Sequence, residues 1–349
     1  MSSPAPSVSV VVPCYGYGRY LRDCVQSALD QEGVDVRVLV IDDASPDDTS
    51  EVAAALALED DRVEVRVHRV NQGHIATYNE GLLAWAEGDY SVLISADDLL
   101  TRGSLARATT LLEAYPDVGF VYGHSRYWVD TEPRPVARTR ATGVTIWSGD
   151  EWLRIVCRLA HSVVSSPEVV VRTSLQQQIG GYRPDLPHTA DVEMWMRFAA
   201  HSDVAFIKGV DQAYYRIHDS QMTVDRVPLV DLIQRRAAYD ALFEEFSDRI
   251  PGGARLTART HRRLAKEALW LACRAYERRR METTPIDELV DFATSTYPHA
   301  QRLPEYWGLR WRQKVGPEVC PYLQPIMLSA VHRRVRNILW WRRWARQGI

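Results

Sequence analysis

In the stretch VLISADDLL an apolar run beginning at Val92 stops at two adjacent carboxylates, Asp97 and Asp98. Two acids at the end of a buried strand repel each other and lose hydration, which is costly unless something positive is present. The pattern recurs along the chain: Asp42 and Asp43 follow VRVLVI, and Asn71 with Gly73 follows RVEVRV. Any one of these alone reads as a helix cap or a turn. Repetition at successive strand ends points to one crevice, because an open α/β sheet binds ligands beyond the carboxyl ends of its strands. Several carboxylates with no lysine nearby invite a divalent cation, and hard oxygen donors favour magnesium or manganese.

The elements that must position these residues are legible in the periodicities. Short β-branched runs at 8–12, 36–41, 62–67 and 90–95 read as strands, and amphipathic segments lie between them. In Tyr20 to Gln31 the residues Leu21, Cys24, Val25, Ala28 and Leu29 recur at helical spacing; a second helix begins at Asp47-Asp48-Thr49-Ser50 and a third runs from Gly73 to Ala86. Strand and helix in alternation predict right-handed crossovers and an α/β fold, a mostly parallel sheet with helices on both faces. VGFVYG at 118–123 and EVVVRT at 168–173 are further strands, separated by the loop TEPRPVARTRATG, and 203–218 reads as two short strands. From Pro228 the pattern is helical, near 228–247, 257–280, 286–296 and 325–346. The expected division is a catalytic domain over 1–223 and a helical subdomain over 224–349.

Composition narrows the class. The 349 residues are 46% hydrophobic and 25% charged, with a formal net charge of −3, so no global charge draws nucleic acid. The five cysteines are scattered and never in CxxC spacing, which argues against a disulfide framework or a structural zinc site and for a cytoplasmic protein. The opening MSSPAPSVSVVVP lacks the basic start and long apolar run of a signal peptide, and no window approaches a membrane span. Gly16-Tyr17-Gly18 after the first strand suggests a dinucleotide-binding turn, but Leu21 occupies the third glycine position and Pro13 ends the strand.

Six blocks in order, VSVVVPCYGYGRYLRDCVQSALDQ, VLVIDDASPDDT, NQGHIATYNEGL, GDYSVLISADDLL, GGYRPDLPHTADVEMWMRF and YYRIHDSQMT, resemble the inverting, nucleotide-sugar-dependent family 2 glycosyltransferases of bacteria, which have the GT-A fold. The resemblance covers roughly residues 7–223. It implies that Pro13 and Tyr15 line a nucleotide pocket, with Asn71, Gly73 and Tyr78 beside it, and that Asp43 hydrogen-bonds the base. It implies that of Asp97 and Asp98, both candidate metal ligands, one holds a Mn2+ or Mg2+ ion bridging the donor diphosphate and the other lies near the ribose or donor sugar, that His218 lies near the metal or pyrophosphate, and that Asp191 is the catalytic base. Two positions depart from the family pattern: Ser95 stands where the first acid of the metal motif is common, and Tyr78 where an arginine usually precedes Asn79. The second departure keeps dTDP and GDP donors open beside UDP.

Those residue types suit glycosyl transfer. A divalent ion offsets charge on a diphosphate leaving group, and a carboxylate takes the proton of an attacking hydroxyl. Asp191 also reads as a helix N-cap before Met194, Trp195 and Phe198, and asparagine caps about as well as aspartate. The rivals are a sugar-nucleotidyltransferase, which lacks its usual Gly-rich basic loop here, and a non-catalytic nucleotide-sugar-binding or assembly protein. Glycan, lipid-linked and natural-product acceptors fit equally, and homo-oligomers are compatible with the sequence. The segment VHRRVRNILWWRRWARQ, rich in arginine and tryptophan, reads as a helix docked on its own domain; the alternative is peripheral contact with a membrane surface through 331–346.

Overall fold

The structure, a computed structural model, describes residues 4–221, 227–246, 250–323, 338, 340 and 342–349. In chain order the first part comprises β1 (Ser7–Cys14), α1 (Gly18–Leu29), β2 (Asp35–Asp42), α2 (Thr49–Glu59), β3 (Val63–Val67), α3 (His74–Asn79), β4 (Tyr90–Leu93), β5 (Leu99–Leu100), α4 (Ser104–Ala114), β6 (Val118–Val129) and β7 (Gly143–Trp147). It continues through α5 (Gly149–Leu159), β8 (Val170–Arg172), α6 (Thr173–Ile179), α7 (Ala190–Ala199) and β9 (Asp203–Ile217). The helices α8 (Pro228–Phe246), α9 (Gly253–Glu277), α10 (Ile286–Thr296), α11 (Pro304–Val315) and α12 (Cys320–Leu323) follow.

One sheet orders its strands β3-β2-β1-β4-β8-β6-β9-β5, with β7 pairing on β9. It is parallel through β3-β2-β1-β4 and mixed beyond, since β8 runs antiparallel to both β4 and β6 while β6 and β9 are parallel. The central strands β1 and β4 are buried on both faces, so Val10, Val11 and Val12 of β1 form a continuous apolar run and not an alternating one. Leu21, Cys24, Val25 and Ala28 of α1 pack into the same core. The helix expected from Gly73 to Ala86 is α3 followed by a π-helical turn, Glu80–Trp85. A side chain at Gly81 would place Cβ 2.3 Å from Val11, so that turn lies directly on β1.

The chain moves outward from β1 to β2 to β3 and then returns to place β4 on the other side of β1. Strand order reverses there, and a doubly wound sheet opens its binding crevice at such a point. The region expected as two short strands is a single strand, β9; it stays continuous through register shifts against β6, with Gly209 at φ +80° beside them. The Pro- and Arg-rich loop leads into β7, which pairs antiparallel with β9. Arg138 anchors the loop by donating its backbone N–H and its guanidinium to the buried Asp211 carboxylate.

Two compact units divide the chain: Met1–Trp152 with Val163–Val224 and Arg346–Gly348, and Leu153–Ser162 with Asp225–Ala345 and Ile349. The segment 153–162 groups with the helices α8 to α12 because their side chains satisfy the last carbonyls of α5. Tyr239 donates to Val156 at 3.1 Å, Thr260 to Cys157 at 2.9 Å and Arg235 to Ala160 at 2.8 Å. Within this unit α9 is central, burying Leu256, Leu264, Ala268, Leu269 and Ala272. Most of the helix expected at 325–346 lies outside the described residues. Among the described residues no helix is long and apolar enough to cross a membrane.

Candidate active site

The crevice at the reversal point is walled first by the ends of β1 and β2. Pro13 is half-buried at the end of β1, and Tyr15, 52% exposed, stands at the mouth. The two acids after β2 have different fates. Asp42 is a turn residue, accepting the Ser45 N–H at 2.9 Å and the Ser50 hydroxyl. Asp43 accepts the N–H groups of Gln72 at 2.8 Å and Gly73 at 2.9 Å, and its Oδ1 lies 2.7 Å from His68 Nδ1. Asn71 is exposed, and its side-chain oxygen also takes the Gly73 N–H, at 3.0 Å. Gly73, at φ +86°, then opens α3. Asp43 therefore shapes the 71–73 turn, and of about four lone-pair positions on a carboxylate three have donors.

His68 bridges Asp43 and Glu80, its Nε2 2.9 Å from Glu80. Burial opposes its charge, but the two carboxylates prevail and raise it above its ordinary 6.5. Against the same penalty of burial, bonds from Gln72, His68 and Gly73 hold Asp43 below its usual 3.8, and His68 with Arg66 holds Glu80 below 4.5. A raised histidine contributes stability that is complete below about pH 6.5 and is lost as pH rises through its folded value. The lowered acids contribute above their ordinary values and lose it as pH falls through the folded ones. The triad thus stabilises most between pH 4.5 and 6.5. His68→Gln should flatten the decline of melting temperature above pH 6.5; equal slopes in variant and wild type would refute this account.

Beyond β4 a turn from Ser95 to Asp98 carries the acid pair, closed by the Asp98 N–H on the Ser95 carbonyl at 3.0 Å. Asp97 and Asp98 are 6% and 4% exposed, and a buried arginine offsets their charge. Arg216 of β9 donates through Nε to the Asp97 carbonyl at 2.7 Å and through its backbone N–H to Asp98 Oδ1 at 2.9 Å. Its guanidinium lies 4.4 Å from the Tyr20 ring centre and 4.3 Å from that of Trp128, and pairs with Asp130 at 2.7 Å. The Tyr20 hydroxyl, then Arg216, hold Asp130 below the usual carboxylate range. Sequence reasoning did not pick out Arg216. The signal was present in YRIH, because in an extended strand Arg216 and His218 fall on one face.

Compensation is incomplete. Burial, and after it the Asp97 charge, push Asp98 well above the usual carboxylate range despite Arg216. Asp97 Oδ2 meets His218 Nε2 at 3.1 Å, while Asp97 Oδ1 is buried with no hydrogen-bond partner among the described residues. Such an orphaned acceptor is expensive, and a carboxylate oxygen beside an imidazole is a donor set that fits a divalent cation. His218 is held by Ser220, 2.9 Å from Nδ1, and by the rings of Tyr17 and Tyr20. Among the described residues no group of three or more His, Cys, Asp or Glu is placed to hold a metal ion by itself.

The facing wall comes from α3 and α7. Burial, followed by the charges of Asp191 and Asp97, raises the Tyr78 phenol. Its ring packs on His74 and Tyr182. Asn79 fixes the 180–182 loop by pairing its amide with Tyr182, donating at 2.8 Å and accepting at 2.6 Å. From the other side Arg197, paired with the buried Glu193, donates to the carbonyls of Ile179 at 2.8 Å and Gly181 at 2.9 Å. The N-cap of α7 is Thr189, not Asp191. Asp191 is half-buried in the first turn, where its Oδ1 accepts the Val192 N–H at 2.8 Å.

Residues 9–161 match the family model described as Glycosyl transferase family 2. An uncharacterized protein of Mycobacterium tuberculosis, MT1568, is 29% identical over 212 residues, 58% of this chain and 65% of that protein. Glycosyltransferase GlyG of Streptococcus pneumoniae is 34% identical over 98 residues, 28% of this chain and 32% of its own length. The chain thus spans less than two thirds of either relative. Residues 1–349 of TarS from S. aureus, solved in complex with UDP-GlcNAc, superpose with a TM-score of 0.63 at 16% identity, covering 91% of each chain. The mannosyltransferase PcManGT of Pyrobaculum calidifontis, solved with GDP-Man and Mn2+, gives 0.50 at 18% identity, covering 92% of this chain and 88% of that one. These likenesses show that the fold is GT-A.

Proposed function

We propose that this chain, whose residues 9–161 match the model of glycosyl transferase family 2, transfers a sugar from a nucleotide-diphosphate donor to an acceptor hydroxyl with inversion at the anomeric carbon. The observation that carries the reading is the buried Asp97 carboxylate just past β4, one oxygen of which meets His218 at 3.1 Å while the other has no hydrogen-bond partner among the described residues. On this reading the donor diphosphate and its metal ion lie at that carboxylate, and the donor sugar lies between it and Asp191.

Pro13 and Tyr15 flank the nucleotide, and the 71–73 turn that Asp43 organises supplies the rest of its pocket; the remaining lone pair of Asp43 faces the base. Asp97, Asp98 and His218 would hold Mn2+ or Mg2+, which when bound supplies positive charge to the leaving diphosphate. Because no group of three such side chains among the described residues is placed to hold a metal ion by itself, the donor diphosphate would have to supply further ligands. Ser95 contributes the turn in place of a further acid. Asp191 receives the proton of the acceptor hydroxyl as its oxygen bonds to the anomeric carbon and the bond from that carbon to the diphosphate oxygen breaks. Tyr78, in the place of a cation, contacts the transferred sugar and adds no charge to the pocket. UDP- or dTDP-linked sugars are the favoured donors, and the acceptor is a glycan, lipid-linked or natural-product hydroxyl.

The test is a thermal-shift panel of UDP-, dTDP- and GDP-sugars with and without Mn2+. A donor present at about 100 times its dissociation constant stabilises the folded state by about 2.7 kcal/mol, so one nucleotide should raise the melting temperature by several degrees only when metal is present. Absence of a metal-dependent shift with every donor would overturn the reading.

A further inference from the structure

We propose that the outward face of α11 docks on an anionic lipid bilayer surface. Of the eleven tryptophans in the chain, the exposed ones among the described residues are Trp307, 65% exposed, and Trp311, 41% exposed. They lie four residues apart on α11, one above the other. Arg310 and Lys314 are also exposed, and at helical spacing these four side chains share an arc of about 100°.

The opposite side of the helix is held within its own unit. Leu309 is buried, and the buried Arg312 pairs with Glu277 at 2.6 Å. The acid of this helix, Glu305, lies on that side and is met by Lys266 at 3.6 Å. The exposed arc therefore combines two indoles with two cations and carries no acid. In the next turns Val319 and Tyr322 are 45% and 74% exposed, and the acid there, Glu318, is paired with Arg279 at 2.9 Å.

Charge selects the occupant. A second copy of this chain meeting the same face across a two-fold axis would set Arg310 and Lys314 against their own counterparts, a like-charge contact. A bilayer containing anionic lipid meets both features: indoles settle at the level of the headgroups, and arginine and lysine meet phosphate there. The face is one side of a single helix, which suits shallow insertion into a lipid interface.

The test is co-sedimentation of the full chain with vesicles, needing neither donor nor acceptor, so it stands or falls apart from the glycosyl-transfer reading. Vesicles of phosphatidylcholine with about one-third phosphatidylglycerol should retain the protein, and pure phosphatidylcholine should retain little. Trp307→Ser with Trp311→Ser, and separately Arg310→Gln with Lys314→Gln, should each weaken retention about tenfold with unchanged melting temperatures. A protein that stays in the supernatant with anionic vesicles, as it would if the face served an acidic protein partner, overturns the proposal. So does a tryptophan or charge variant that sediments like wild type, because binding then belongs to another surface.

Discussion

Asp191→Asn should reduce transfer by roughly 10²–10⁴ while leaving the fold and the metal-dependent donor shift in place. The structure sharpens this expectation, because Thr189 takes the cap position of α7 and Asp191 lies inside the first turn. A carboxylate there gains about 0.3–1 kcal/mol from the positive end of the helix, so its neutralisation costs at most a few degrees of melting temperature. Asparagine keeps the shape and can still accept the Val192 N–H, but it cannot take a proton from an attacking hydroxyl. Initial rates with the donor that gives the thermal shift, measured beside melting curves, separate the two roles. Turnover close to wild type would remove Asp191 as base.

Arg216→Met is expected to act on stability. The side chain is 4% exposed, lies between Tyr20 and Trp128, and pairs with Asp130 at 2.7 Å while holding the Asp97 carbonyl at 2.7 Å. Arg216 is buried but the Asp130 side chain is 30% exposed, so solvent screens part of the charge left behind; the loss is about 1–3 kcal/mol, which for a unit of this size lowers the melting temperature by roughly 2–12 °C. Adding Asp130→Asn should recover part of that loss, since the two positions are coupled. Arg216→Lys should fall between, because lysine retains the charge but loses the planar fork and much of the ring stacking. Urea unfolding checks the series; a loss below about 1 kcal/mol for Arg216→Met would show that the pair is not a structural counter-charge.

The placement of Arg216 also shows where sequence reading reached its limit. Asp97 and Asp98 announce a missing positive charge, but the arginine that partly supplies it lies 119 and 118 residues away for the two contacts. Asp42 and Asp43 look equivalent in the sequence. The fold makes one a turn residue bonded to Ser45 and Ser50, and the other the organiser of a turn at 71–73. The same holds for Asn79, which lines the site only by fixing Tyr182, 103 residues on.

What the sequence determined by itself is what local physics encodes. Apolar runs of strand length, 3.6-residue periodicity in α1, and acids placed just past strand ends each depend on a few neighbouring residues. They sufficed for an α/β sheet with acids just past the ends of its strands and for the six ordered blocks that carry the family likeness. The tertiary structure alone decided that β9 is continuous, that 153–162 groups with the helical unit, and that Asp97 Oδ1 is buried with no donor among the described residues. Each of those outcomes depends on groups far apart in the chain competing for the same donors, and that competition is resolved only when the strands pack.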